Sequence, residues 1–174
     1  MSIGVIAIMS CTGSPERTLR PGWQEVRSEV LNFRVFMPDR PVQRMENATT
    51  KGGRPISMRS FTYSNGEDLT FVVSVTDLSE EPMNQVDIKR ALDAGRDGVL
   101  TNVEGKLLDE TNTIVEGYPA RRLLYEFPND QACEITAIIV IGRIYLLGAI
   151  QKRGKYPLEC REFLDSFKLL ANRR

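Results

Sequence analysis

The stretch QACEITAIIVIGRIYLLGAIQ, Gln131 to Gln151, decides the fold. It is two apolar runs, Ala132 to Ile141 and Arg143 to Gln151, folded about Gly142, a residue that accepts the positive φ a tight connection requires. Ile135, Ala137 and Ile139 point to one side of the first run, and Ile138 and Val140 to the other. A strand that is apolar on both faces belongs at the centre of a sheet covered on both sides.

Working back from this pair, Leu107 to Glu116 and Ala120 to Phe127 read as two further strands, with Asn129-Asp130 marking the next tight connection. The four make an antiparallel meander. Ahead of it the period changes. Ile88, Leu92, Gly95, Val99 and Val103 recur at helical spacing, Asn84 is a fitting N-cap, Asp87 lies in the first turn, and Gly105 is a stop. Gly95 and Gly98 each cost this helix about 1 kcal/mol against alanine. Close approach of the helix to the sheet is the expected return, with a break in the helix as the alternative.

Further upstream, Pro55 to Tyr63 and Leu69 to Val75 form a hairpin about Asn65-Gly66. Residues 44–54 read as a polar loop. Trp23 to Ser28 and Asn32 to Met37 read as strands, the second ended by Pro38 and Pro41. After the meander, a final helix from about Pro157 carries Cys160, Phe163, Leu164, Phe167 and Leu170 on one face. Short turns between strands favour antiparallel pairing. The expected architecture is therefore α/β of the α+β kind: a mainly antiparallel sheet of about six to eight strands sandwiched between helices.

Four pieces of sequence carry a family resemblance. Asn32-Phe33-x-Val35-x-x-Pro38-x-x-Pro41 resembles the opening of proteins with the PsbP-like fold. Gly117-Tyr118-Pro119-Ala120-Arg121, Gly142-Arg143-Ile144-Tyr145-Leu146 and Phe163-Leu164-Asp165-Ser166-Phe167-Lys168-Leu169 agree with it in order. The resemblance spans about residues 23–170. That group includes the extrinsic photosystem II subunit, a Ran-binding relative and bacterial envelope lipoproteins of the DcrB kind. It implies scaffold and partner-binding roles rather than one chemistry.

Composition narrows the function. Among 174 residues, Lys+Arg and Asp+Glu are balanced at 23 each, so no net field draws the chain to nucleic acid. Histidine is absent, which removes the commonest general base and zinc ligand and any Ser-His or Cys-His pair. Asp93, Asp97, Glu104, Asp109 and Glu110 read as a solvated face rather than an acid/base or metal set, and no calcium-loop spacing is present. Gly95-Arg96-Asp97-Gly98 and Gly52-Gly53-Arg54 are too short for phosphate loops. Basic clusters at Arg121-Arg122, Lys152-Arg153-x-Lys155 and Arg173-Arg174 read as solubilising, the second with a subsidiary reading as a contact for anionic headgroups. Trp23, Tyr63, Tyr118, Tyr125, Tyr145 and Tyr156 read as half-buried strand residues rather than a binding rim. No catalytic residue, metal site or cofactor is identified, and the chain is expected not to be an enzyme.

The first residues point to location. Ile3 to Met9 is an uncharged apolar run of about seven residues, followed by Ser10-Cys11 and then Thr12-Gly13-Ser14. Ile8 and Ser10 fit a lipoprotein cleavage site that makes Cys11 the acylated N-terminus. The missing basic opening fits a start placed downstream of the true one. Residues 1–11 are thus expected to be a truncated lipoprotein signal segment, 12–22 a Pro- and Gly-punctuated tether, and 23–174 a single domain. The alternative is an apolar strand with Cys11 a plain thiol. A transmembrane helix is excluded, since spanning takes about twenty apolar residues.

The two other cysteines, Cys133 and Cys160, are expected to be buried free thiols. A Cys133–Cys160 disulfide is the alternative if the last helix packs on the Cys133 face. The function expected is a lipid-anchored, extracytoplasmic, non-catalytic binding or assembly module of the bacterial cell envelope. Its partners would be the membrane, through its anchor, and an envelope protein. The competing reading is a carrier of a small, partly apolar ligand held between helix and sheet.

Overall fold

The computed structural model describes residues 20–49, 55–66, 68–78, 83–103, 105–155 and 157–170. In chain order the elements are β1 (Gln24–Ser28), β2 (Phe33–Met37), β3 (Val42–Thr49), β4 (Pro55–Ser64), β5 (Leu69–Asp77), α1 (Gln85–Val103), β6 (Lys106–Val115), β7 (Tyr118–Phe127), β8 (Gln131–Val140), β9 (Arg143–Lys152), α2 (Leu158–Ser166) and β10 (Lys168–Leu169).

Seven strands form one antiparallel sheet in the order β3-β4-β5-β9-β8-β7-β6, and β1-β2-β10 form a second, smaller one. The doubly apolar β9 is the middle strand. Its Tyr145, Leu147 and Ala149 face one way into the main core, while Ile144 and Leu146 pack the other way. On the first face lie α2 and the small sheet. Phe33, Val35 and Met37 of β2 alternate inward and are fully buried. Their layer is closed by rings: Phe71 stacks on Phe163 at 4.6 Å, and Phe33 stacks on Phe167 at 6.1 Å. On the second face α1 sets Leu92, with Ile88 beside it, against Ala137 and Ile139. The expected sandwich of a mainly antiparallel sheet between helices is the structure found.

Asn84 caps α1, its side-chain oxygen accepting the N–H groups of Val86 and Asp87 at 2.9 and 3.0 Å. The helix does not break at Gly95, and a methyl group there would meet nothing within 4 Å, so close approach to the sheet is not what this glycine provides. The side chains beyond Asp97 in α1, Gly98 among them, lie outside the described residues.

Two other expectations are corrected. Residues 44–49, read as loop, belong to β3, which pairs with β4 along its whole length. A solvated edge strand buries neither face, so it shows no alternation to read. The final helix stops at Ser166 rather than continuing to Leu170. Ser166 Oγ donates to the Phe163 carbonyl at 2.7 Å and accepts the Phe36 N–H at 3.0 Å. Phe167 is extended, and Lys168 and Leu169 pair with Arg34 and Phe33. A bond from β2 replaces the next helical turn.

A candidate binding cleft at the turn end of the sheet

Connections from distant parts of the chain meet at one end of the large sheet: the β8–β9 turn at Ile141-Gly142, the β6–β7 turn at Glu116-Gly117, the end of β5, the start of β4, and the residues after β10. They enclose an open cleft of about 1150 Å³. Local chemistry fixes the turns. Glu116 and Gly117 have φ of 51° and 83°, both positive as a two-residue hairpin turn of the right twist requires. Gly142 has φ of 74°, and its carbonyl accepts the Leu78 N–H at 2.8 Å, tying the turn to the end of β5.

Charged groups along the cleft are held in pairs. Arg143 donates from Nε to Asp77 at 2.7 Å and from Nη1 to the Val30 carbonyl at 3.0 Å. Lys168 Nζ lies 2.7 Å from Glu116. Burial pulls the Arg143 guanidinium down, but its bonds and charge interactions with Asp77 and Tyr145 outweigh this and hold it above its ordinary value. Burial pushes the Tyr145 phenol up, so it stays a neutral donor, bonded to the Leu31 carbonyl at 2.9 Å. Ile56, Tyr118 and Ile141 are among the apolar residues of the wall. Ile141, at the turn, is 71% exposed. The arrangement can present paired charge and apolar surface to something of matching shape. Among the described residues its acids and bases are taken up in pairs, Asp77 with Arg143 and Glu116 with Lys168.

The acidic residues singled out from sequence are largely drawn together elsewhere, on α1 and β6. Arg121 of β7, only 4% exposed in its side chain, reaches Asp93 at 2.6 Å and Glu110 at 2.8 Å, and donates to Asn112 at 3.1 Å. Arg96 takes Asp97 at 2.8 Å and Glu110 at 3.2 Å. Bonds from Arg121 and Lys89 lower the Asp93 carboxyl to about 2. This is a clamp between helix and sheet. Asp109 stands apart and is exposed. Glu104 lies outside the described residues, among which no group of three or more metal-ligating side chains occurs.

Arg121 is therefore not part of a solubilising surface pair. Arg122 meets Glu134 at 3.2 Å, Arg153 meets Glu126 at 3.0 Å, and Lys155 meets Asp68 at 3.4 Å. Tyr125 and Tyr145 are fully buried, and Tyr118 reaches the cleft. Tyr156, Arg173-Arg174, Gly52-Gly53-Arg54, Cys11 and residues 1–19 lie outside the described residues.

Cys133 and Cys160 are both free and buried. The condition for a bridge between them is not met. Cys133 is opposite Ile150 and packs with Tyr125 and Leu123 on the α1 side of the sheet. Cys160, on α2, donates to the buried Gln151 at 3.1 Å, and Gln151 points to the opposite face from its neighbour Ile150. The sheet stands between the two thiols.

The cleft was not found from sequence. One of its turns is legible as Gly142, but nothing local says that Asp77, Glu116 and Arg143 converge.

No protein-family model matches the chain, and no curated protein does. Solved structures do. The solution structure of cyanobacterial PsbP (CyanoP) from Synechocystis sp. PCC 6803 is similar with a TM-score of 0.59 at 11% identity, covering 91% of this chain and 98% of that one. A crystal structure of PA94 from Pseudomonas aeruginosa, a protein of unknown function titled a putative regulator, aligns with a TM-score of 0.42 at 12% identity over 80% of this chain and 86% of that one. The class is thus a PsbP-like α+β fold.

Proposed function

We propose that this chain is a non-catalytic protein-binding or assembly module of the bacterial cell envelope, held to a membrane by a lipid on Cys11, and that the turn-end cleft receives its partner. The observation that carries the binding role is the cleft itself. It is open, its charges are already paired as Asp77–Arg143 and Glu116–Lys168, and Ile141 stands at the turn. Paired charge beside exposed apolar surface suits a protein face better than chemistry. The lipobox-like Ile8-Met9-Ser10-Cys11 supports the anchor, and the resemblance to DcrB-type lipoproteins supports the location. The carrier reading puts a ligand between helix and sheet, where Phe71 and Phe163 already stack.

The test has two arms, both in the native host with the gene at its own locus. Intact mass and membrane fractionation should give an acylated chain beginning at Cys11 in the membrane fraction. A soluble chain with Cys11 unmodified would overturn the anchor. A photo-crosslinking residue at Ile141 should give a discrete adduct with one envelope protein, and the same residue at exposed Val86 should not. Equal labelling at both positions would overturn the cleft as the partner surface.

A further inference from the structure

The two edges of the seven-stranded sheet are finished differently. β6 has an irregular step between Leu107 and Asp109, and an irregularity of this kind blunts an edge. β3 has no such step. Its register runs unbroken from Val42 opposite Thr62 to Thr49 opposite Pro55, and no proline interrupts it. Residues 42–47 are all exposed, with Val42 at 61% and Met45 at 62%. Arg44 and Glu46 point to one face, opposite Ser60 and Met58, while Met45 points to the other. Among the described residues neither Arg44 nor Glu46 has an ion-pair partner.

We propose that β3 pairs with β3 of a second copy, antiparallel and about a two-fold axis at Met45, joining two sheets into one. The outward-facing backbone groups of β3 belong to every second residue, so two copies pair only in registers that slide by whole pairs. With Met45 opposite Met45 of the second copy, Arg44 stands opposite the second copy's Glu46, and Glu46 opposite its Arg44. Gln43 then faces Asn47. The neighbouring registers put Arg44 on Arg44 or Glu46 on Glu46, and like charges directly opposite are destabilising. The sequence of β3 is complementary to itself in one register, and the strand edge supplies the ladder.

Sedimentation velocity on the full chain carrying Cys11→Ser, over a concentration series, should show a reversible dimer. Arg44→Glu alone and Glu46→Arg alone each replace two attractive pairs by two repulsive ones and should weaken it by about tenfold or more. Mixing the two variants sets an acidic strand against a basic one and should restore dimerisation. Circular dichroism checks that each variant keeps the fold. As an independent measure, Met45→Cys in the same background should give an oxidised dimer whose cross-linked peptide joins the two substituted positions, since directly opposed residues lie within disulfide reach. A monomer at every concentration, a dimer indifferent to the single substitutions, or a mixture that fails to recover would each overturn the proposal.

Discussion

The guanidinium of Arg121, on β7, lies 2.6 Å from the carboxylate of Asp93, on α1. That contact joins the helix to the sheet beside Glu110 and Asn112 of β6, and it makes the clamp sensitive to acid. The bond from Arg121, then that from Lys89, lowers Asp93 from its ordinary 3.8 to about 2. A carboxyl whose value is lower in the folded chain favours folding while ionised. Its contribution is therefore complete above about pH 4 and lost as pH falls toward 2. Thermal melts between pH 6 and about 2 should show this loss, and Asp93→Asn should flatten that part of the profile. An unchanged acid slope in Asp93→Asn would remove the clamp as its cause.

Phe163 is the residue of α2 on which the core closes. It is fully buried and stacked on Phe71. Phe163→Ala should cost about 3–5 kcal/mol in urea unfolding, read as a lower midpoint at constant slope. Leu158, on the same helix but 62% exposed, gives the contrast: Leu158→Ala should stay within about 0.5 kcal/mol of the parent.

Two glycines make opposite expectations. A Cβ at Gly148 would lie 2.7 Å from Cγ1 of Val72 on the neighbouring β5, so Gly148→Ala should destabilise by about 1–3 kcal/mol. Val72→Ala in the same chain should recover much of that loss, which a double-mutant cycle measures. Gly95 lies inside α1 with open space around it, and Gly95→Ala should stabilise by about 0.5–1 kcal/mol. If Gly148→Ala proves neutral, the close packing of β5 on β9 is not the constraint described.

Burial pushes both Cys133 and Cys160 up to about 12, which leaves almost no thiolate at neutral pH. In a chain carrying Cys11→Ser, a thiol reagent should find neither cysteine in the native state and both after denaturation. Mild oxidation of the native chain should leave the count at two. A native chain with no titratable thiol even when unfolded would mean that the sheet does not separate them.

What the sequence disclosed follows from how each part is solvated. β8 and β9 are apolar on both faces, α1 is apolar at helical spacing, and the β4–β5 hairpin carries its turn at Asn65-Gly66, so each announced itself. β3 did not, because Val42 and Met45 face solvent as Arg44 and Glu46 do. β10 did not, because Phe167 and Leu170 continue the spacing of α2 and the helix is ended there by the bonds that Ser166 and the paired Lys168 and Leu169 make with β2. The cleft was hidden for a third reason. Asp77 and Arg143 are 66 residues apart, and their pairing is a consequence of topology that no window of sequence contains.

The large sheet is assembled from two locally connected parts, β3-β4-β5 and β6-β7-β8-β9, whose neighbours are neighbours in the chain everywhere except at the β5–β9 join. Hairpins form early, and a join that closes a long loop forms late. The small sheet goes further, since β10 at Lys168 and Leu169 must reach back to Arg34 and Phe33. During synthesis, then, β2 leaves the ribosome well before β10, the strand that completes its sheet. Until α2 and β10 emerge, Phe71 lacks the ring of Phe163 and Phe33 that of Phe167. From the emergence of β5 to that of α2 the nascent chain carries these two rings without their α2-side partners, and any factor that attends its birth has that surface to hold.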